Sequence, residues 1–198
     1  MSRVSMLAAA ALLLTSCAAS AAPGSEGAPQ TIPARPPGAT SASPSVRDGV
    51  AYSRLSLADG DQPAIEAGVW WPAEASASPL PLIVISHGNG GDFRSHRDTA
   101  QALAQAGFVV AALTHTGDNW RDQSRATDVV DRTRQLSVLI DHMLGQWEGR
   151  AGIDASKVGA FGFSAGGFTV LAAAGGNPDL GRIVDHCRAN PDLYDCRL

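Results

Sequence analysis

Gly162-Phe163-Ser164-Ala165-Gly166 is the segment of this sequence whose residue types and spacing point most directly to chemistry. A serine hydroxyl is a weak nucleophile until a turn presents it and a neighbouring base takes its proton. Val158-Gly159-Ala160-Phe161 just before it reads as a buried strand, and Phe168 to Ala174 just after it as a helix. Strand, sharp turn and helix is the context in which Gly-x-Ser-x-Gly forms a nucleophile elbow. Gly162 and Gly166 lack Cβ atoms, so the strand and helix can approach closely. In a chain with 21 glycines, the competing reading is a Gly-rich loop with an incidental serine, and the flanking pattern favours the elbow. A second Gly-rich segment, His87-Gly88-Asn89-Gly90-Gly91, ends the apolar run Leu82-Ile83-Val84-Ile85-Ser86. Backbone N–H groups in such a segment can face a developing negative charge without side-chain obstruction. His87 precedes Ser164 in the chain and reads as a structural hydrogen-bonding residue rather than a general base.

These groups must be positioned by elements that the residue pattern also describes. Tyr52 to Leu57 alternates and predicts an early antiparallel strand, and Ala67 to Trp71 predicts a second, ended by Pro72. The run Leu82–Ser86 is the third strand, continuous and apolar as a central parallel strand is. Arg97 to Gln105 predicts a helix capped by Ser95 and ended by Gly107. Phe108 to Leu113 is the fourth strand. A helix from Ala126 to Leu144 sets Val129, Leu136, Ile140 and Met143 on one face. The strand before the elbow is the fifth. Strands alternating with helices in this way predict an α/β domain, a mostly parallel sheet with helices on both faces.

Together, His87–Gly91, then His115-Thr116-Gly117-Asp118 after the fourth strand, then the elbow resemble the α/β-hydrolase superfamily. Within it the chain resembles the dienelactone hydrolase and platelet-activating factor acetylhydrolase-like group, over residues 50–198. The resemblance implies a hydrolase cleaving a carboxylic ester of a small molecule, without cofactor or metal. It implies that Ser164 is the nucleophile and that the Asn89 and Ala165 N–H groups form the oxyanion hole. Typical dienelactone hydrolases use a cysteine nucleophile, so Ser164 favours the esterase side of the group. It also implies that the acid and the histidine follow the nucleophile in sequence, so residues 49–198 are expected to be the N-terminal portion of a hydrolase domain. A peptidase of the same fold and an inactive, membrane-tethered binding remnant are the alternatives.

His115 and Asp118 lie beyond the carboxyl end of the fourth strand, the edge that faces the ligand crevice in open parallel sheets. They have two readings, a substrate-binding loop or plain loop hydrogen bonding. His87, Asp92, His96 and His115 show no diagnostic metal-ligand spacing. His186 follows Ser164 in the order a base requires, and only that order supports it. Asp179 and Asp185 are the carboxylates nearest it. Cys187 and Cys196 are either a disulfide or two unrelated thiols.

The first residues read as a targeting segment. Arg3 precedes an apolar run from Val4 to Leu14, of signal-peptide length. Leu14-Thr15-Ser16-Cys17 resembles a bacterial lipoprotein box with lipidation at Cys17, and Ala19-Ser20-Ala21 offers ordinary cleavage instead. Residues 1–17 are thus a leader, and the chain is expected to be exported, as a periplasmic or cell-envelope lipoprotein. Residues 18–48 are rich in Pro, Ala, Ser and Gly and read as a flexible linker. The whole chain has 198 residues, 44% of them hydrophobic, and a net charge of −4. No basic cluster exists to neutralise phosphates, which argues against a nucleic-acid partner.

Overall fold

The computed structural model describes residues 40–41, 43–126 and 128–197. The leader with Cys17, and the linker up to residue 39, lie outside the described residues. The strands are β1 (Thr40–Ser41), β2 (Ser45–Arg47), β3 (Val50–Asp59), β4 (Gln62–Pro72), β5 (Leu80–Ser86), β6 (Val109–Leu113) and β7 (Ile153–Gly162). The helices are α1 (Arg97–Gln105), α2 (Val129–Gly145), α3 (Ala165–Ala173) and α4 (Leu180–Ala189). The strands form one sheet in the order β1-β3-β4-β6-β5-β7, with β2 also paired to β3. β3, β4 and β6 pair antiparallel, while β6, β5 and β7 run parallel. The sheet is therefore mixed, with its parallel half leading to the elbow.

Strand β6 shows why this half holds together. All five of its residues are buried, and they alternate between two cores. Val109, Ala111 and Leu113 pack with Leu136, Leu139 and Met143 of α2. Val110 and Ala112 pack with Ala100 and Ala104 of α1, together with Ile85 and Phe93. A strand buried on both faces by helices reads as a continuous apolar run, as β5 and β6 do. The five strands and two helices expected in residues 50–162 are present, but the fifth, β7, is not the buried strand its apolar residues suggest: Val158 and Phe161 are exposed because among the described residues β7 pairs only with β5.

Several boundaries differ. The proposed linker ends inside a hairpin, because Ser45–Arg47 pairs with Val50–Tyr52 across a two-residue turn. Asp48 and Gly49 both take positive φ, 50° and 75°. That geometry joins two twisted strands, and Asp-Gly is a favoured pair for it. Ser95 does not cap α1: its hydroxyl accepts the Asp92 N–H at 2.9 Å, and His96 stands at the N-cap without a side-chain bond. Helix α2 starts at Val129 rather than Ala126, because the Asp128 carboxylate caps it by accepting the Asp131 N–H at 3.0 Å. Cys187 and Cys196 are joined by a disulfide that ties α4 to the turn after it.

Candidate active site

Ser164 stands between the end of β7 and the start of α3, at φ 53° and ψ −121°. A non-glycine residue with such a φ carries strain of about 1–3 kcal/mol, which the surrounding structure must hold. The close approach of three backbones holds it here. A Cβ on Gly162 would lie 2.1 Å from the Gly166 carbonyl oxygen, and one on Gly166 would lie 2.0 Å from that of Ser86. Glycine is required at both positions because β5, β7 and α3 meet with no room for a side chain. The turn is closed by the Gly166 N–H donating to the Phe163 carbonyl at 2.8 Å and the Gly167 N–H to that of Ser164 at 2.9 Å. Ser164 is exposed, and among the described residues no side chain hydrogen-bonds to its hydroxyl.

The loop after β5 lies against this turn. A Cβ on Gly88 would sit 3.4 Å from the Ser164 Cβ. Among the described residues, the backbone N–H groups of Asn89 and Ala165 have no protein acceptor. Both donors are therefore uncommitted in the fold.

His87 is buried, and both ring nitrogens are committed. Nδ1 donates to the Gly88 carbonyl at 2.6 Å, and Nε2 accepts the His115 N–H at 3.0 Å. Burial pushes its pKa down, which keeps it neutral, as this bonding pattern requires. His115 and Asp118 are also sealed from solvent. The substrate-contact reading of their side chains is corrected accordingly: they are buried and hydrogen-bond instead to the loop after β5 and to α2. The His115 ring shares Nδ1–H with Gln135 Oε1 at 3.0 Å, and its Nε2 accepts from the Ser86 hydroxyl at 2.8 Å. Burial holds it well below the ordinary imidazole value. This Ser-His-Gln array resembles a catalytic set in outline, but no substrate can reach it. With the lone pairs of His87 and His115 engaged, the set His87, Asp92, His96 and His115 offers no converging ligands.

His186 does not reach Ser164 by any hydrogen bond. It lies on α4 with Nε2 3.3 Å from an Asp195 carboxylate oxygen. Asp179 caps the same helix, accepting the Arg182 N–H at 3.2 Å, and Asp185 pairs with Arg188 on the surface.

The residue that sequence reasoning missed is Arg132. It is only 2% exposed. Its guanidinium donates to Asp118 at 2.5 Å, to Thr169 at 3.0 Å, to Ser86 at 3.3 Å and to the His87 carbonyl. Burial lowers its pKa despite the opposing Asp118 carboxylate. The available signal was its spacing: Arg132, Gln135, Leu136 and Leu139 fall on one helix face, so two polar residues sit in an apolar stripe.

The dienelactone hydrolase family profile matches residues 65–188. The chain is 30% identical over 113 residues to a bis(hydroxyethyl) terephthalate hydrolase of Streptomyces coelicolor, an alignment covering 57% of this chain and 34% of that protein. The chain thus spans about a third of that relative's length. Among solved structures it is similar to an acetyl xylan esterase from Paenibacillus sp. R4, with TM-score 0.52 and 20% identity over 69% of this chain and 49% of that one. It is also similar to a dienelactone hydrolase-like promiscuous phosphotriesterase from metagenomic libraries, with TM-score 0.53 and 24% identity over 64% and 54% of the two chains. At these identities the two structures establish a shared fold.

Proposed function

The chain belongs to the dienelactone hydrolase family, and from that premise we propose that it is an exported serine hydrolase that cleaves carboxylic esters. The observation that carries the reading is Ser164 itself, exposed, its hydroxyl without a partner among the described residues, and held at φ 53° at the glycine-lined turn. In this proposal Ser164 Oγ attacks the ester carbonyl carbon. The carbonyl oxygen takes up negative charge, and the N–H groups of Ala165 and Asn89 receive it. Losing one such donor costs about 10²–10³ in rate. The acyl group passes to Ser164, the alcohol leaves with a proton, and water then releases the acid. The similarity to a bis(hydroxyethyl) terephthalate hydrolase supports an ester as substrate.

The general base and its acid partner are taken from outside the described residues. His87 and His115 are sealed and neutral, and His186 is paired elsewhere. Triad members act as a unit, and removing one leaves only the contribution of the oxyanion hole and binding. The 198-residue chain is therefore expected to turn over p-nitrophenyl acetate slowly. Ser164→Ala should remove the serine-dependent part of that rate, and a rate unchanged by the substitution would overturn the nucleophile assignment. Cleavage of a peptide p-nitroanilide in preference to the ester would favour the peptidase alternative. No rate above buffer would favour the tethered remnant.

Export is proposed on the leader and on Cys17, with a lipid anchor as the membrane partner. The disulfide between Cys187 and Cys196 supports it, since such bonds persist in oxidising compartments. Radiolabelled palmitate should mark the protein in a bacterial host, and equal labelling of a Cys17→Ala variant would exclude that cysteine.

A further inference from the structure

We propose that Arg132 is a positioning residue that holds both halves of the oxyanion hole in one frame. The inference rests on the ester-hydrolase reading for the identity of the two N–H donors. Its geometry stands on the hydrogen bonds alone.

One arm runs to the loop after β5. Arg132 Nη1 donates to Asp118 Oδ2 at 2.5 Å. The other oxygen of that carboxylate accepts the Asn89 side-chain amide at 3.0 Å and the Gly90 N–H at 2.9 Å. Arg132 Nη2 meanwhile donates to the His87 carbonyl. The loop is thus pinned on both sides of the peptide that carries the Asn89 N–H. The second arm runs to the elbow helix. Arg132 Nε donates to Thr169 Oγ at 3.0 Å, and that hydroxyl donates to the Ala165 carbonyl at 2.9 Å. This fixes the first turn of α3, from which the Ala165 N–H projects. A single planar guanidinium reaches both arms because its donors point in fixed, divergent directions. A lysine ammonium is a single point charge and cannot span them.

The arrangement lies directly beneath the site, and Arg132, Asp118 and Thr169 are all buried. A buried ion pair often contributes no more stability than an apolar replacement of the same volume. Folding alone does not account for a charged pair placed here, whereas the alignment of two preorganised donors does.

The test uses the full chain. Hydrogen exchange read by mass spectrometry follows residues 86–92 and 163–170, alongside turnover of p-nitrophenyl acetate. Arg132→Lys should raise exchange in both segments and lower kcat by about tenfold or more with KM nearly unchanged. Asp118→Asn should loosen only the first segment and Thr169→Val only the second, so the proposal stays testable if Arg132→Lys folds poorly. Arg134→Lys, on the next position of the helix surface toward Asp59, should change neither. Arg132→Lys with wild-type exchange in both segments overturns the proposal, as does raised exchange with unchanged kcat. If Ser164→Ala leaves turnover unaltered, the ester-hydrolase reading fails instead, and the paired exchange response still decides whether Arg132 holds the two segments together.

Discussion

At the scale of single residues, the molecule holds Ser164 in a conformation that serine resists. Glycine adopts this φ without the side-chain penalty, at an entropic cost of about 0.5–1 kcal/mol in the unfolded chain. Ser164→Gly should therefore raise stability by about 1 kcal/mol, read as a higher urea midpoint, while removing serine-dependent turnover. A lower midpoint would mean that the turn is not strained. The buried histidines act in the opposite sense. Burial depresses the pKa values of His115 and His87 in the fold. Once the chain unfolds, they titrate near the ordinary value of about 6.5. Below that value the unfolded state binds more protons, so the stability these groups contribute is full above it and is lost as pH falls. The urea midpoint should drop between about pH 7.5 and about pH 5, and His115→Gln should flatten that slope. An equal slope in the variant would place the proton uptake elsewhere.

At the scale of elements, the ends of strands and helices explain where the site residues stand. Helix α2 presents Arg132 to Asp118 and Thr169, and the Asp128 cap sets where the helix begins. Asp128→Ala should cost about 1 kcal/mol of stability, as N-cap losses do. It should also raise exchange in the first turn of α2, and an unaltered midpoint would show that the cap is idle. The elbow was legible because a β-branched and apolar strand, a Gly-x-Ser-x-Gly turn and an Ala-rich helix occur in immediate succession. The β2–β3 hairpin was equally signalled by Asp48-Gly49, but polar, Pro-rich surroundings hid it. β2 is exposed along its length, so no apolar alternation marks it.

At the scale of the whole molecule, β7 ends the sheet. Among the described residues it pairs only with β5, and its far edge carries no partner. Val158, Phe161 and Phe163 are 39%, 38% and 60% exposed. Its charges, Asp154 and Lys157, lie in its first half, so the half before the elbow is an edge beside exposed aromatic rings, a template for pairing with other chains. Residues 49–198 are expected to self-associate with rising concentration on size-exclusion chromatography. Phe161→Lys should shift the protein toward monomer. A wild-type monomer with a sharp, cooperative thermal transition would overturn this expectation.

The amino-acid sequence by itself determined the α/β alternation, the positions of β5, β6 and the elbow, and the serine that the proposed chemistry needs. These are local matters, set by periodicity over a few residues and by glycine at contacts too close for a Cβ. Only the tertiary structure decided the roles of His115, Asp118 and Arg132. Their partners lie far along the chain, so local spacing marks Arg132 as facing the core but does not say which groups it meets. His115 and Asp118 looked like ligands for a crevice because they follow a strand end, yet packing beneath α2 turned them inward. Arg132 did not stand out as a site residue because an arginine on a helix is usually solvated, as Arg134 two positions on partly is. It became central once folding brought Ser86, Asp118 and Thr169 around one guanidinium.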